Sequence, residues 1–181
     1  PNDVIYEAMA GDYAHSAIPG YDPDLSAELY TTNGEIDEHA DNAHKILSFT
    51  AEMSTCQTAS DADPDDAFVA DDCGSVFHFP DSEALIQAEF QKNLPFALAV
   101  ATSVKTPDRP TSVVGRTTPD FVPDPFTVSY GDPQPVAVIA RNSLKQKTAH
   151  WSVNGGREHS APLKKWKGGE RYGADNATYF A

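Results

Sequence analysis

Apolar positions in the first hundred residues recur at helical spacing in two places. Ile5, Tyr6 and Met9 share one side of a segment that Asn2 or Asp3 can cap, which predicts a short helix through Ala10 or beyond. Ile86, Phe90, Leu94 and Leu98 repeat on one face after Pro80-Asp81-Ser82-Glu83, a cap with an acidic first turn. That pattern predicts a long helix to about Val100, kinked at Pro95. Residues 35–43 (EIDEHADNA) lack an apolar stripe and read as a short, mostly solvated helix, whereas 16–23, with Pro19, Gly20 and Pro23, is turn-rich. After the solvated helix, 46–53 (ILSFTAEM) is short, apolar and partly β-branched, the pattern of a buried strand in a mixed sheet with Glu52 at its C-terminal end. Helices flanking a buried strand predict an α/β layer.

The period changes beyond residue 125. FTVSYG, QPVAVIARNS, KTAHWSV and REHSAPLKKWKG are short runs separated by Gly, Pro and Asn, which predicts antiparallel strands of a sandwich-like all-β module. Val153-Asn154-Gly155-Gly156 is a hairpin turn, since Asn-Gly tolerates positive φ. NATYFA at the end of the chain reads as another strand, and 125–181 holds too few strands for a complete sandwich, so the module is expected to be truncated. Trp151, Trp166 and Tyr172 offer a carbohydrate-stacking platform, against the plainer reading of aromatic core positions. Asn176-Ala177-Thr178 is a glycosylation sequon, meaningful only in a eukaryotic secretory pathway. Five prolines between 107 and 125 make the intervening stretch an ordered or semi-rigid linker. The expected organisation is therefore 1–104, a linker over 105–124, and 125–181.

Charge supports that division. Residues 1–100 carry 20 acids and only two bases, Lys45 and Lys92, whereas 101–181 carry 11 bases and seven acids. The net charge of −14 over 181 residues repels phosphate backbones and argues against nucleic-acid binding. No apolar run approaches the ~18 residues that a membrane span requires. Cys56 and Cys73, the only cysteines, bracket an acidic loop, and an even count around such a loop is expected to form a disulfide in an exported protein. The loop acids, among them Asp61, Asp63, Asp65 and Asp66, lack the glycine and closing glutamate of an EF-hand. A solvated loop fits them better than a calcium site.

Three stretches, taken in order, resemble the secreted zinc metallocarboxypeptidases related to carboxypeptidases A, B and T. Leu29-Tyr30-Thr31-Thr32-Asn33-Gly34-Glu35-Ile36-Asp37 is similar to the family's tyrosine-bearing loop, which runs through a glycine turn into a helix opening Ile-Asp. Leu47-Ser48-Phe49-Thr50-Ala51-Glu52-Met53 is similar to its strand ending Phe-Thr-x-Glu-Leu, and Tyr30 and Glu52 stand at the family's separation of 22 positions. The helix after Asp81 sits where the family closes its catalytic domain.

The resemblance covers 1 to about 104 and implies the C-terminal portion of an α/β/α mixed-sheet catalytic domain. It further implies removal of one residue from the C-terminus of a peptide or protein substrate by a zinc-activated water. Glu52 matches the carboxylate that accepts the water's proton and passes it to the leaving amine. Tyr30 matches the tyrosine that closes over the substrate's terminal carboxylate.

The metal site does not follow. After none of His15, His39, His44, His78, His150 and His159 does a glutamate stand three positions on, and no arginine precedes Arg109. In the family these elements lie before the matched loop, so the zinc ligands are expected upstream of Pro1, with zinc held by the full-length protein and not by this chain alone. Glu35 and His39 stand four apart on one face of the expected short helix, and His44 follows it, but two ligands on an exposed face do not make a tetrahedral site. The alternative reading is a non-catalytic extracellular module with a degenerate peptidase fold, whose β-module contacts a surface or a carbohydrate.

Overall fold

The computed structural model describes residues 2–25, 28, 34–53, 83–124 and 136–181. Helices and antiparallel sheets both occur, giving a mixed α/β chain in two compact units, Ala10–Ala101 and Pro1–Met9 together with Thr102–Ala181.

The helices form where helical spacing predicts them, but one presents a different face. Helix α1 (Asp3–Ala10) starts with Ile5 N–H donating to the Asn2 carbonyl at 2.8 Å and buries Ile5, Ala8 and Met9. Helix α2 (Ile36–His44) buries nothing, as expected of its composition, and ends with Lys45 in the left-handed conformation at φ 56°, its N–H donating to the Asp41 carbonyl. Helix α3 (Glu83–Ser103) runs through Pro95. Its predicted apolar face is not the buried one, because Ile86, Phe90 and Leu98 are exposed and Glu89, Phe96, Ala99 and Ser103 are buried. A buried glutamate can occupy that face because Tyr21 and Lys92 partner its carboxylate.

The predicted strand at 46–53 is a correction. These residues are irregular and exposed or half-buried, with no ladder partner among the described residues. A short apolar run becomes a strand only if a neighbour takes its backbone N–H and C=O groups. Side-chain anchoring holds this one instead. In the same unit, β1 (Gly11–Asp12) and β2 (His15–Ser16) form a minimal hairpin. Gly11 sits at φ 86°, where a Cβ would lie 2.0 Å from the His15 carbonyl oxygen, so no other residue fits.

The other unit is built on one four-stranded antiparallel sheet in the order β3-β4-β8-β7, from β3 (Phe121–Asp124), β4 (Ala137–Arg141), β7 (Lys164–Lys165) and β8 (Asn176–Phe180). A separate ribbon pairs β5 (Thr148–Ser152) with β6 (Glu158–Pro162). The apolar run before Arg141 and the NATYF run form the central pair, as their composition predicts. The proline-rich stretch does more than link, since its end forms edge strand β3, where Pro123 is tolerated. FTVSYG lies outside the described residues. The predicted hairpin turn forms, with Asn154 at φ 48°, Gly155 at φ 70° and Gly156 N–H donating to the Val153 carbonyl at 2.8 Å.

Arg141, 2% exposed, ties this unit together. Its Nε donates to Asp120 at 3.1 Å and one terminal nitrogen to Asp175 at 2.6 Å. The other terminal nitrogen donates to Thr118 Oγ1 at 2.6 Å and to the carbonyls of Thr118 and Asp108. Tyr172, 1% exposed, donates its hydroxyl to the Pro119 carbonyl at 2.7 Å, and burial raises its pKa despite the opposing effect of Arg141. Burial alone would raise the Asp175 pKa as well. Hydrogen bonding with Asp108, Arg141, Asn176 and Arg109 outweighs it and holds the carboxyl at about 2.

That depression gives a pH prediction. An unfolded aspartate titrates near ~3.9, so the native state keeps Asp175 ionised where the unfolded chain would protonate it. The stabilisation is complete above about pH 4 and is lost as the pH falls toward about 2. Urea midpoints measured across that window are expected to fall steeply for the native chain and less steeply for Asp175→Asn.

Candidate functional site

Glu52 lies in the irregular run after α2, and its side chain is exposed. The run is fixed on both sides of it. Phe49 packs edge-on against Phe96 of α3, with ring centroids 5.3 Å apart and planes at 87°. Thr50 Oγ1 donates to Asp37 Oδ2 of α2 at 2.6 Å. Met53 Sδ lies 3.9 Å from the Tyr21 hydroxyl. The segment therefore presents a carboxylate to solvent from a backbone whose neighbours at three, two and one positions away are each anchored.

Tyr21 belongs to a polar cluster that sequence reasoning missed. Its hydroxyl donates to Glu89 Oε2 at 3.1 Å, the Lys92 ammonium pairs with the other Glu89 oxygen, and that ammonium lies 5.2 Å from the centre of the Tyr21 ring. Asn93 donates to Glu89 while its own Oδ1 is buried without a partner among the described residues. Glu89, Lys92 and Asn93 stand three and four apart on one helix, and that spacing was the available signal. Tyr21 also lines a cavity of about 420 Å³ together with Tyr13, His15, Ser16, Pro19 and Asp22. The His15 backbone N–H donates to Asp12 at 2.9 Å.

Tyr30, Cys56 and Cys73 lie outside the described residues, so the expected Tyr30–Glu52 pairing and the expected disulfide receive no geometry. Among the described residues no three His, Cys, Asp or Glu side chains come together as metal ligands. His39 and His44 lie edge to face, 5.1 Å apart by ring centroids. The described residues therefore do not fit a zinc ion.

Two sites suggested by the β-module change on inspection. Tyr172 is core, so it cannot join Trp151 and Trp166 in an exposed platform. Asn176 is 2% exposed, accepts from the Tyr172 N–H at 3.0 Å and donates to Asp175, so in the folded chain its amide is not open to glycosylation. No family model, curated protein or solved structure matches this chain.

Proposed function

We propose that these residues belong to a secreted zinc metallocarboxypeptidase and form the C-terminal part of its α/β/α catalytic domain with the start of an appended β-sandwich. The observation that carries the reading is the anchored run around Glu52, held at Phe49, Thr50 and Met53 while its carboxylate stays open to solvent. A proton-transferring carboxylate has to meet both these requirements, a fixed position and an open approach. In this reading Glu52 takes the proton of the attacking water and returns it to the departing amine, and Tyr30 engages the terminal carboxylate of the substrate. The glycine turn at Gly34 (φ 82°) leading into a helix that opens Ile36-Asp37 supports the resemblance in order and spacing.

The zinc ligands, on this reading, are not among the residues of this chain. The full-length protein is expected to hold one zinc ion and to release single residues from peptide C-termini, and the 181-residue chain to do neither. Submicromolar, stoichiometric zinc in the dialysed 181-residue chain, accompanied by peptide trimming, would overturn that division of labour.

A further inference from the structure

The β5–β6 ribbon pairs with no other strand among the described residues, and none of its strand residues is buried. Two-stranded ribbons are marginal without a packed face. This one carries instead a face fitted for contact. Cross-strand partners Trp151 and His159 lie on one side with Ala149 and Ala161, their rings stacked at 5.8 Å between centroids and 23° between planes. Trp151 remains 43% exposed. Glu158, the ribbon's only acid, lies on the opposite side, 3.0 Å from His150.

The charge around this ribbon is the reverse of the protein's. From 142 to 171 the chain has seven Lys and Arg residues and two acids, within a net charge of −14. Lys145, Arg157, Lys164, Lys165, Lys167 and Arg171 are exposed, and none makes an ion pair with a described residue. The seventh, Lys147, donates to the Leu144 carbonyl and lies over the Tyr179 ring. Leu163 N–H donates to the Lys147 carbonyl at 2.9 Å, which continues the ribbon to the edge of β7. Arg157 near the tip and Lys164 at the base are thus separated by roughly 23 Å of extended chain, with Trp151 between them.

We propose that this ribbon binds an anionic polysaccharide of the uronic-acid class. Its sugar rings pack their C–H faces on the Trp151 indole, and its carboxylates are met by Arg157 at one end and by Lys145 and Lys165 at the other. Indole presents the electron-rich face that such C–H groups seek. These six cations, without an ion pair among the described residues, provide charge complementarity to a polymer with regularly spaced negative groups. A nucleic-acid strand fits less well, because it is held by successive stacking platforms and the ribbon has a single aromatic pair. The proposal is independent of the peptidase reading.

Calorimetric titration of the 181-residue chain with sodium polygalacturonate, neutral dextran and single-stranded poly(dT) tests it. Polygalacturonate is expected to bind with an affinity that falls as salt is raised, and dextran not to bind. Trp151→Ala is expected to weaken binding about tenfold, and the double change Lys145→Gln with Lys165→Gln by about tenfold. Trp151→Phe should retain most of the affinity, which separates loss of stacking from loss of the ribbon. The proposal is overturned if polygalacturonate does not bind, if poly(dT) binds more tightly, or if the Trp151→Ala and double-lysine variants bind like the native chain.

Discussion

Glu52→Gln in the full-length protein is expected to lower kcat about a thousandfold, within the range that a positioned general acid–base supplies. The amide keeps the size of the side chain but cannot accept the water's proton. KM should change little, because the loss falls on an interaction made in the transition state. The fold should be unaffected, since the anchors are Phe49 on Phe96, Thr50 on Asp37 and Met53 on Tyr21, none of which uses the Glu52 side chain. Steady-state kinetics with a urea midpoint on the same samples separate these effects. Tyr30→Phe should be milder and act through substrate positioning. Near-native turnover in Glu52→Gln would remove Glu52 from the chemistry.

Arg141→Leu is expected to destabilise the β-unit by about 1–3 kcal/mol, the cost of leaving buried polar groups without their hydrogen-bond donor. Leucine fills part of the volume but leaves Thr118 Oγ1 and the Thr118 carbonyl short of a donor, in surroundings where Arg141 is 2% exposed, while the Asp108 carbonyl keeps its bond from the Thr118 hydroxyl. Asp175 keeps Arg109, with Oδ2 3.1 Å from both Nε and a terminal nitrogen, and Asp120 is open enough to be hydrated. The loss therefore centres on the Thr118 side of the guanidinium. Arg141→Lys should fall between the two, because an ammonium cannot span the three directions that the planar fork reaches. Urea denaturation with an unchanged slope is the measurement. A loss below about 1 kcal/mol for leucine would mean that the network contributes little.

The extent to which these features were legible in the sequence follows from the range of the interactions behind them. Local signals carried through. The Asn154-Gly155 turn, the solvated α2 and the helix opened by Asn2 are each decided within a few residues by backbone sterics, capping or the lack of an apolar stripe. The paired runs AVIAR and NATYF were legible because β-branched and apolar residues alternate with turn signals on either side.

Features that depend on distant partners were not. The 46–53 run has the composition of a strand, but strand formation needs a neighbour's hydrogen bonds, and here Phe96, Asp37 and Tyr21 take side chains instead. The buried face of α3 was misjudged because Glu89 reads as a surface acid until Tyr21, 68 residues earlier, is known to meet it. Arg141 similarly reads as the polar end of a strand, and its partners at 108, 118, 120 and 175 are invisible to any local pattern. At the candidate site, the identity of Glu52 came from resemblance. What the fold adds is the anchoring on either side of it, which no local window contains.

The most direct measurement is mass spectrometry of two synthetic peptides incubated with the full-length protein, identical except that one ends in a free carboxylate and the other in an amide. A carboxypeptidase using Tyr30 and Glu52 should shorten the free peptide one residue at a time from its C-terminus, leave the amidated peptide intact, and lose this activity in Glu52→Gln. Internal cleavage, equal attack on both peptides, or no shortening of either would contradict the account.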